Sequence, residues 1–146
     1  MNKLLKKLFP SKRMREYNKM HRRQRRELVK HAKETRNWDY CWLYDSTIMQ
    51  IRHMYEYYSA GNNVWQSDES RDEILSQLAH VLDLNDEMNH LWDSYDHESN
   101  LIINEDGSFS VSDEGAKQYR AIRDREQELY EEIYSYIGKY IQWWWD

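Results

Sequence analysis

Three features of the sequence predict a mainly α fold: a four-helix bundle-like domain with a small β-hairpin between the third and fourth helices and a basic N-terminal helical arm. Breakers are scarce, with one proline and four glycines in 146 residues, so little interrupts a helix between them. Apolar residues recur at helical spacing in several separate segments. Charge is divided along the chain, basic first and acidic afterwards. The length supports one domain with a real core, and a hydrophobic share of 40% argues against wholesale disorder. The arm is assigned to residues 1–36. The acidic, aromatic-rich helical domain takes 37–146, with the hairpin at about 100–111.

The arm opens with Met1–Phe9, where Leu4, Leu5, Leu8 and Phe9 alternate with Lys3, Lys6 and Lys7. A short basic amphipathic turn of this kind suits a membrane surface, and equally a frayed end closed by a hydrophobic staple. It lacks a small-residue cleavage site and is not expected to be a signal peptide. Pro10-Ser11 then starts a helix with Ser11 as N-cap. At about 100° per residue, Lys12, Arg15, Lys19, Arg22, Arg23, Arg26, Lys30 and Lys33 fall within an arc of about 100°. Met14, Tyr17, His21, Leu28 and Ala32 are expected on the other side as a thin apolar seam. Like charges three and four residues apart repel by some tenths of a kcal/mol per pair, so a polyanion along the stripe would relieve the helix. A solvated face, or neutralisation by the chain's own carboxylates, is the alternative.

The second helix is central. In Asn37–Tyr58 the residues Cys41, Tyr44, Ile48, Ile51, Tyr55 and Tyr58 share one face, widened by Trp42, Met49 and Met54. Cys41, the single cysteine, is expected as a small core residue and excludes an internal disulfide framework. Thr35 or Asn37 can cap this helix, with Asp39 near its positive end. Gly61 suits the left-handed position that ends it, after which Val64 and Trp65 are expected to tuck back onto the core.

A third helix is predicted from about Asp68, with Ser70 and Glu73 as a capping box or Ser67 as the cap. Its seam reads Ile74, Leu78, Val81, Met88, Trp92 and Tyr95, flanked by Leu75, Leu82 and Leu91; Asn85 interrupts it as a register-setting polar residue. Leu101–Asn104 and Ser108–Val111 then flank Glu105-Asp106-Gly107, a hairpin signal, and the small hairpin is expected to lie on the bundle. Ser112-Asp113-Glu114 opens the last helix. Tyr119, Ile122, Leu129, Ile133, Tyr136, Ile137, Tyr140 and Trp144 recur along it. Three consecutive tryptophans, Trp143 to Trp145, cannot share one helix face, so at least one is expected to be exposed or to cap the bundle end.

No motif nominates a reaction. The best metal-like spacing is Glu87 with His90, near Asp93 and His97, but a di-iron bundle needs a second Glu-x-x-His and this chain has none. The six histidines form no recognised ligand cluster, and there is no P-loop, dinucleotide fingerprint or nucleophile elbow. A non-enzymatic protein without cofactor or metal is the expectation. No run approaches the ~18 apolar residues of a membrane span, so a cytoplasmic location is expected.

Up to Arg36, fourteen Lys/Arg stand against three Glu, a balance of +11; the remainder carries −16. Such asymmetry implies a charged partner or internal docking. The leading expectation is a binding protein whose stripe (Lys12, Arg15, Lys19, Arg22, Arg23, Arg26, Lys30, Lys33) engages RNA or DNA, or a host nucleic-acid machine, as an inhibitor or modulator. Duplex is expected over single strands, because Tyr17 is the arm's one aromatic after Phe9. The alternative inverts the charges. An acidic surface with Glu128, Glu131 and Glu132, flanked by Asp124 and Glu126, would mimic phosphate and block a basic nucleic-acid-binding protein, with Trp143 and Trp145 as further partner contacts. A membrane-surface or structural assembly role is the third.

Trp38-Asp39-Tyr40 at a helix start, Arg71-Asp72-Glu73-Ile74 at another and the terminal Trp144-Trp145-Asp146 resemble a group of small accessory proteins of tailed phages. The resemblance covers about two thirds of the chain, from Asn37 onward, and excludes the basic arm. It implies a phage accessory product acting in the host cytoplasm, rather than a virion shell or a metabolic enzyme. It brings no functional residues with it.

Overall fold

The computed structural model describes residues 11–34, 40–61 and 67–144. The elements are α1 (Lys12–Glu34), α2 (Tyr40–Ser59), α3 (Asp68–His90), α4 (His97–Asn100), β1 (Leu101–Ile103), β2 (Phe109–Val111) and α5 (Asp113–Tyr140). The fold is mainly α and bundle-like, with the predicted hairpin between the third and the last long helices. The one-turn α4 is the addition. Met1–Phe9, Thr35, Asn37, Asp39, Val64, Trp65 and Trp145 lie outside the described residues. Two compact units divide the chain, Met1–Leu75 and Ser76–Asp146, the boundary falling inside α3.

In the first unit α1 and α2 run antiparallel, because contacts pair rising numbers on one helix with falling numbers on the other. The Arg13 guanidinium donates to the Gly61 carbonyl, Tyr17 meets Tyr57 edge-on at 6.1 Å, and His31 reaches Ser46 at 3.0 Å. Ser11 caps α1, its hydroxyl accepting from the Met14 N–H. Gly61 closes α2 with φ of 68°, a conformation that favours glycine. Tyr44, Ile48 and Ile51 are buried along α2, with Tyr55 and Tyr58 half-buried.

Two expectations fail here. Cys41 is exposed, not a core residue; it stands one residue into described α2, a turn ahead of where burial begins at Tyr44. In α1, Met14, His21 and Ala32 are exposed, and the half-buried positions are Tyr17, Met20, Gln24, Leu28 and His31. The inner face is rotated because α2 offers polar partners. Gln24 donates to the His53 carbonyl at 3.2 Å and to Glu56 Oε2 at 3.1 Å, so a glutamine occupies a position that apolar periodicity passes over. His53 is itself buried, with its Nε2 2.8 Å from Glu27 Oε2.

In the second unit α3 and its C-terminal extension pair antiparallel with α5. Gln77 meets Trp144, His80 meets Tyr136, Glu87 meets Arg125 and Ser94 meets Gln118. Leu78, Val81, Leu84, Met88 and Tyr95 form the core with Ile122, Leu129, Ile133, Ile137 and Trp144. Leu84 extends the predicted seam, Trp92 is only half-buried, and Tyr119 is exposed although its ring lies 5.2 Å from that of Trp92. The cap of α3 is Ser67 and not the Ser70–Glu73 box, since the Ser70 N–H donates to Ser67 Oγ at 3.2 Å.

Asp96 caps α4 by accepting from the Glu98 and Ser99 N–H groups. Asn100 then locks α4 to α5: its carbonyl accepts from the Ser112 N–H and its side chain donates to Gln118. β1 and β2 pair antiparallel, Leu101 with Val111 and Ile103 with Phe109, around a turn where Gly107 has φ of 80°. The hairpin does not lie on the bundle as expected. Leu101, Ile102, Ile103, Phe109 and Val111 are all exposed, because the ties that fix the hairpin act at its base, through Asn100 and Ser112, and not along its strands.

Candidate nucleic-acid interface

α1 positions the cationic stripe. The helix buries no residue completely, and its half-buried face points to α2, so the opposite face stays in water. Lys12, Arg15, Lys19, Arg22, Arg23, Arg26, Lys30 and Lys33 are all exposed. Arg22, Arg25, Arg26, Val29, Lys30 and Lys33 line an open surface depression along this face. Arg25 was absent from the predicted arc, yet the spacing 22, 25, 29, 33 places it on a second row beside the row 22, 26, 30. Successive cations four residues apart are separated by about 6 Å along the axis, and the whole stripe spans about 31 Å.

Among the described residues, intrachain pairing touches two stripe residues. Arg23 reaches Glu56 Oε2 at 2.5 Å and Glu27 Oε1 at 3.7 Å; Lys30 sits 3.9 Å from Glu34 Oε1, an exposed contact of small energetic weight. Arg22 donates to the Asn18 carbonyl at 3.1 Å, which fixes its stem without neutralising it. Among the described residues no carboxylate lies within ion-pair distance of Lys12, Arg15, Lys19, Arg22, Arg26 or Lys33. The stripe therefore keeps a field that attracts anions.

The fold adds aromatics that the arm's own sequence lacks. A groove of about 480 Å³ runs between α1 and α2 beside Arg23, lined by Arg13, Tyr17, Met20, Tyr55 and Glu56 among others. Tyr55 comes from α2, so no periodicity within α1 could have found it.

The other proposed contacts are distributed differently. Trp143 is 68% exposed, whereas Trp144 is 1% exposed and donates its indole N–H to Gln77 Oε1 at 2.9 Å. Glu128 is paired with Arg125 at 3.1 Å, Glu131 accepts from Gln127 at 2.8 Å, and Glu126 is paired with Arg123 at 2.6 Å. Glu132 is exposed. Glu126 and Glu128 are thus already matched by arginine on the same helix. Glu87 is held by Arg125 at 2.8 Å. His90 has a raised pKa because its ring bonds the Asp86 carbonyl and the Asp86 and Asp93 charges lie near. Among the described residues no group of three or more His, Cys, Asp or Glu is placed to hold a metal ion, and no helix is long and apolar enough to cross a membrane.

No protein-family model, curated protein or solved structure matches the chain.

Proposed function

We propose that the chain is a non-enzymatic accessory protein that binds duplex nucleic acid through α1, acting on host RNA or DNA or on the machinery bound to it. One observation carries the reading: six stripe cations on one helix face are exposed and unmatched by any carboxylate among the described residues. Phosphate is the anion that such a row suits. Lys and Arg spaced about 6 Å apart on a straight helix neutralise successive phosphates and release their counterions, with little dependence on base sequence. Arg22, Arg25 and Arg26, gathered around Val29, are the centre of the contact. Arg23 contributes less, because Glu56 already holds it.

The test is a titration against duplex RNA and duplex DNA over a range of salt. The expected result is affinity that falls linearly on a log–log plot, with a slope of about −0.9 for each phosphate contacted. R22A/R25A/R26A should flatten that slope by about 0.9 per contact removed, and R23A should flatten it less. Absent binding, salt-insensitive binding, or an unchanged slope in the triple variant would overturn the reading.

A further inference from the structure

The hairpin of the second unit presents a strand edge that no described residue pairs with. Register fixes which backbone groups face outward. The Asn104 N–H bonds the Ser108 carbonyl at 2.9 Å and the Ser112 N–H bonds the Asn100 carbonyl at 2.9 Å, so pairs 104–108 and 100–112 are hydrogen-bonded pairs. Alternation makes Leu101–Val111 and Ile103–Phe109 the non-hydrogen-bonded pairs, whose N–H and C=O groups point away from the partner strand. On β1 the Leu101 N–H is taken by the Glu98 carbonyl. On β2 the N–H and C=O groups of Phe109 and Val111 have no partner among the described residues. Side chains at those same pairs share one face of the ribbon, and Leu101, Ile103, Phe109 and Val111 are 47–70% exposed there. A two-stranded ribbon is marginal by itself in water, and a third strand is what such a sheet lacks.

Charge identifies the occupant. Between Asp93 and Ala116 the chain has seven acidic residues (Asp93, Asp96, Glu98, Glu105, Asp106, Asp113, Glu114) and no Lys or Arg. A second copy pairing edge to edge would bring the same carboxylates to the same place. An extended segment carrying alternating apolar and basic residues meets both features: its backbone continues the ladder, its apolar side chains cover the exposed face, and its Lys or Arg side chains meet the acidic border.

The geometry points to β2 as a docking edge for an extended, basic segment of a partner protein, taken up by strand addition at Phe109 and Val111. The site is separate from the α1 stripe and does not rest on its reading.

The full chain is titrated with two synthetic peptides, one of alternating Lys and Val and one of alternating Glu and Val, by fluorescence anisotropy, with amide exchange followed by NMR. The Lys–Val peptide should bind, the Glu–Val peptide should not, and the Phe109 and Val111 amides should gain protection. V111P removes an outward N–H without touching the inward ladder, an edge position where proline is tolerated. It should weaken the Lys–Val peptide about five- to tenfold, as expected for one lost backbone bond. I103K/F109K, which replaces half of the apolar face with like charge, should abolish binding while the helical circular-dichroism signal is kept. Equal binding of both peptides, or V111P binding as the wild type does, would overturn the proposal. So would protected Phe109 and Val111 amides before any peptide is added. In a dimer by sedimentation these would assign the edge to a second copy, and in a monomer to this chain's own N-terminal segment.

Discussion

Two tryptophans illustrate how a single buried N–H decides a residue's weight. The Trp144 ring is buried and its Nε1–H is bonded to Gln77 Oε1. Trp42 Nε1 is also buried but has no hydrogen-bond partner among the described residues, while its ring stacks on His31 at 6.3 Å. Replacing a bonded donor leaves its acceptor short, at a cost on the order of 1–3 kcal/mol, whereas removing an unbonded one relieves a desolvation penalty. Urea denaturation should therefore show W144F destabilised by that amount beyond its lost ring area, and W42F by clearly less. Equal losses would contradict the assignment. Two aspartates give the pH dependence. Asp96 is lowered by bonds from the Ser99 hydroxyl and N–H, and Asp106 by those from Ser108. A carboxylate depressed in the folded state contributes stability above its unfolded value of about 3.9 and loses it as pH falls through the lowered value. Carboxyl NMR titration should place both below ordinary exposed Asp, with the α4 and hairpin signals changing only after the ordinary carboxylates have protonated. D96N and D106N should flatten that dependence.

At the scale of elements, α5 depends on how it starts. Ser112 Oγ accepts from the Gly115 N–H at 3.0 Å, and S112A should cost about 1 kcal/mol in thermal or chemical unfolding, as lost caps do. Gly115 is helical and lies against α4: a Cβ there would stand 2.6 Å from the Asn100 Cβ and Cγ. G115A should thus destabilise by about 1–3 kcal/mol through overpacking, despite the better helix propensity of alanine. At Gly138, where a Cβ meets nothing within 4 Å, the same change should stabilise. If G115A also stabilises, the close approach of Asn100 is wrong.

Across the whole molecule, charge follows the compact units. Met1–Leu75 carries sixteen Lys/Arg against ten Asp/Glu, and Ser76–Asp146 carries five against sixteen, so the units differ in sign at +6 and −11. Phosphate should therefore perturb only one of them. On adding duplex RNA, amide shifts should concentrate between Lys12 and Lys33. Amide exchange in α1, which buries no residue completely, should slow as the like-charge pairs along it are neutralised. Shifts centred on α5 would place the contact elsewhere.

Periodicity and breakers determined the long helices, the Asp-Gly turn, the cap at Ser11, the opening of the last helix at Ser112-Asp113-Glu114 and the one-sided cationic face of α1, because each depends on spacing within one segment. What only tertiary structure decided involves two segments at once. The rotation of α1 onto Gln24 and His31, the diversion of Arg23 to Glu56, the meeting of Tyr17 with Tyr57, the burial of Trp144 over Gln77 and the fit of Gly115 against Asn100 all need a partner residue elsewhere in the chain. Hairpin exposure belongs with these. An apolar strand has the same sequence whether it is covered or bare, and only its neighbours in space distinguish the two.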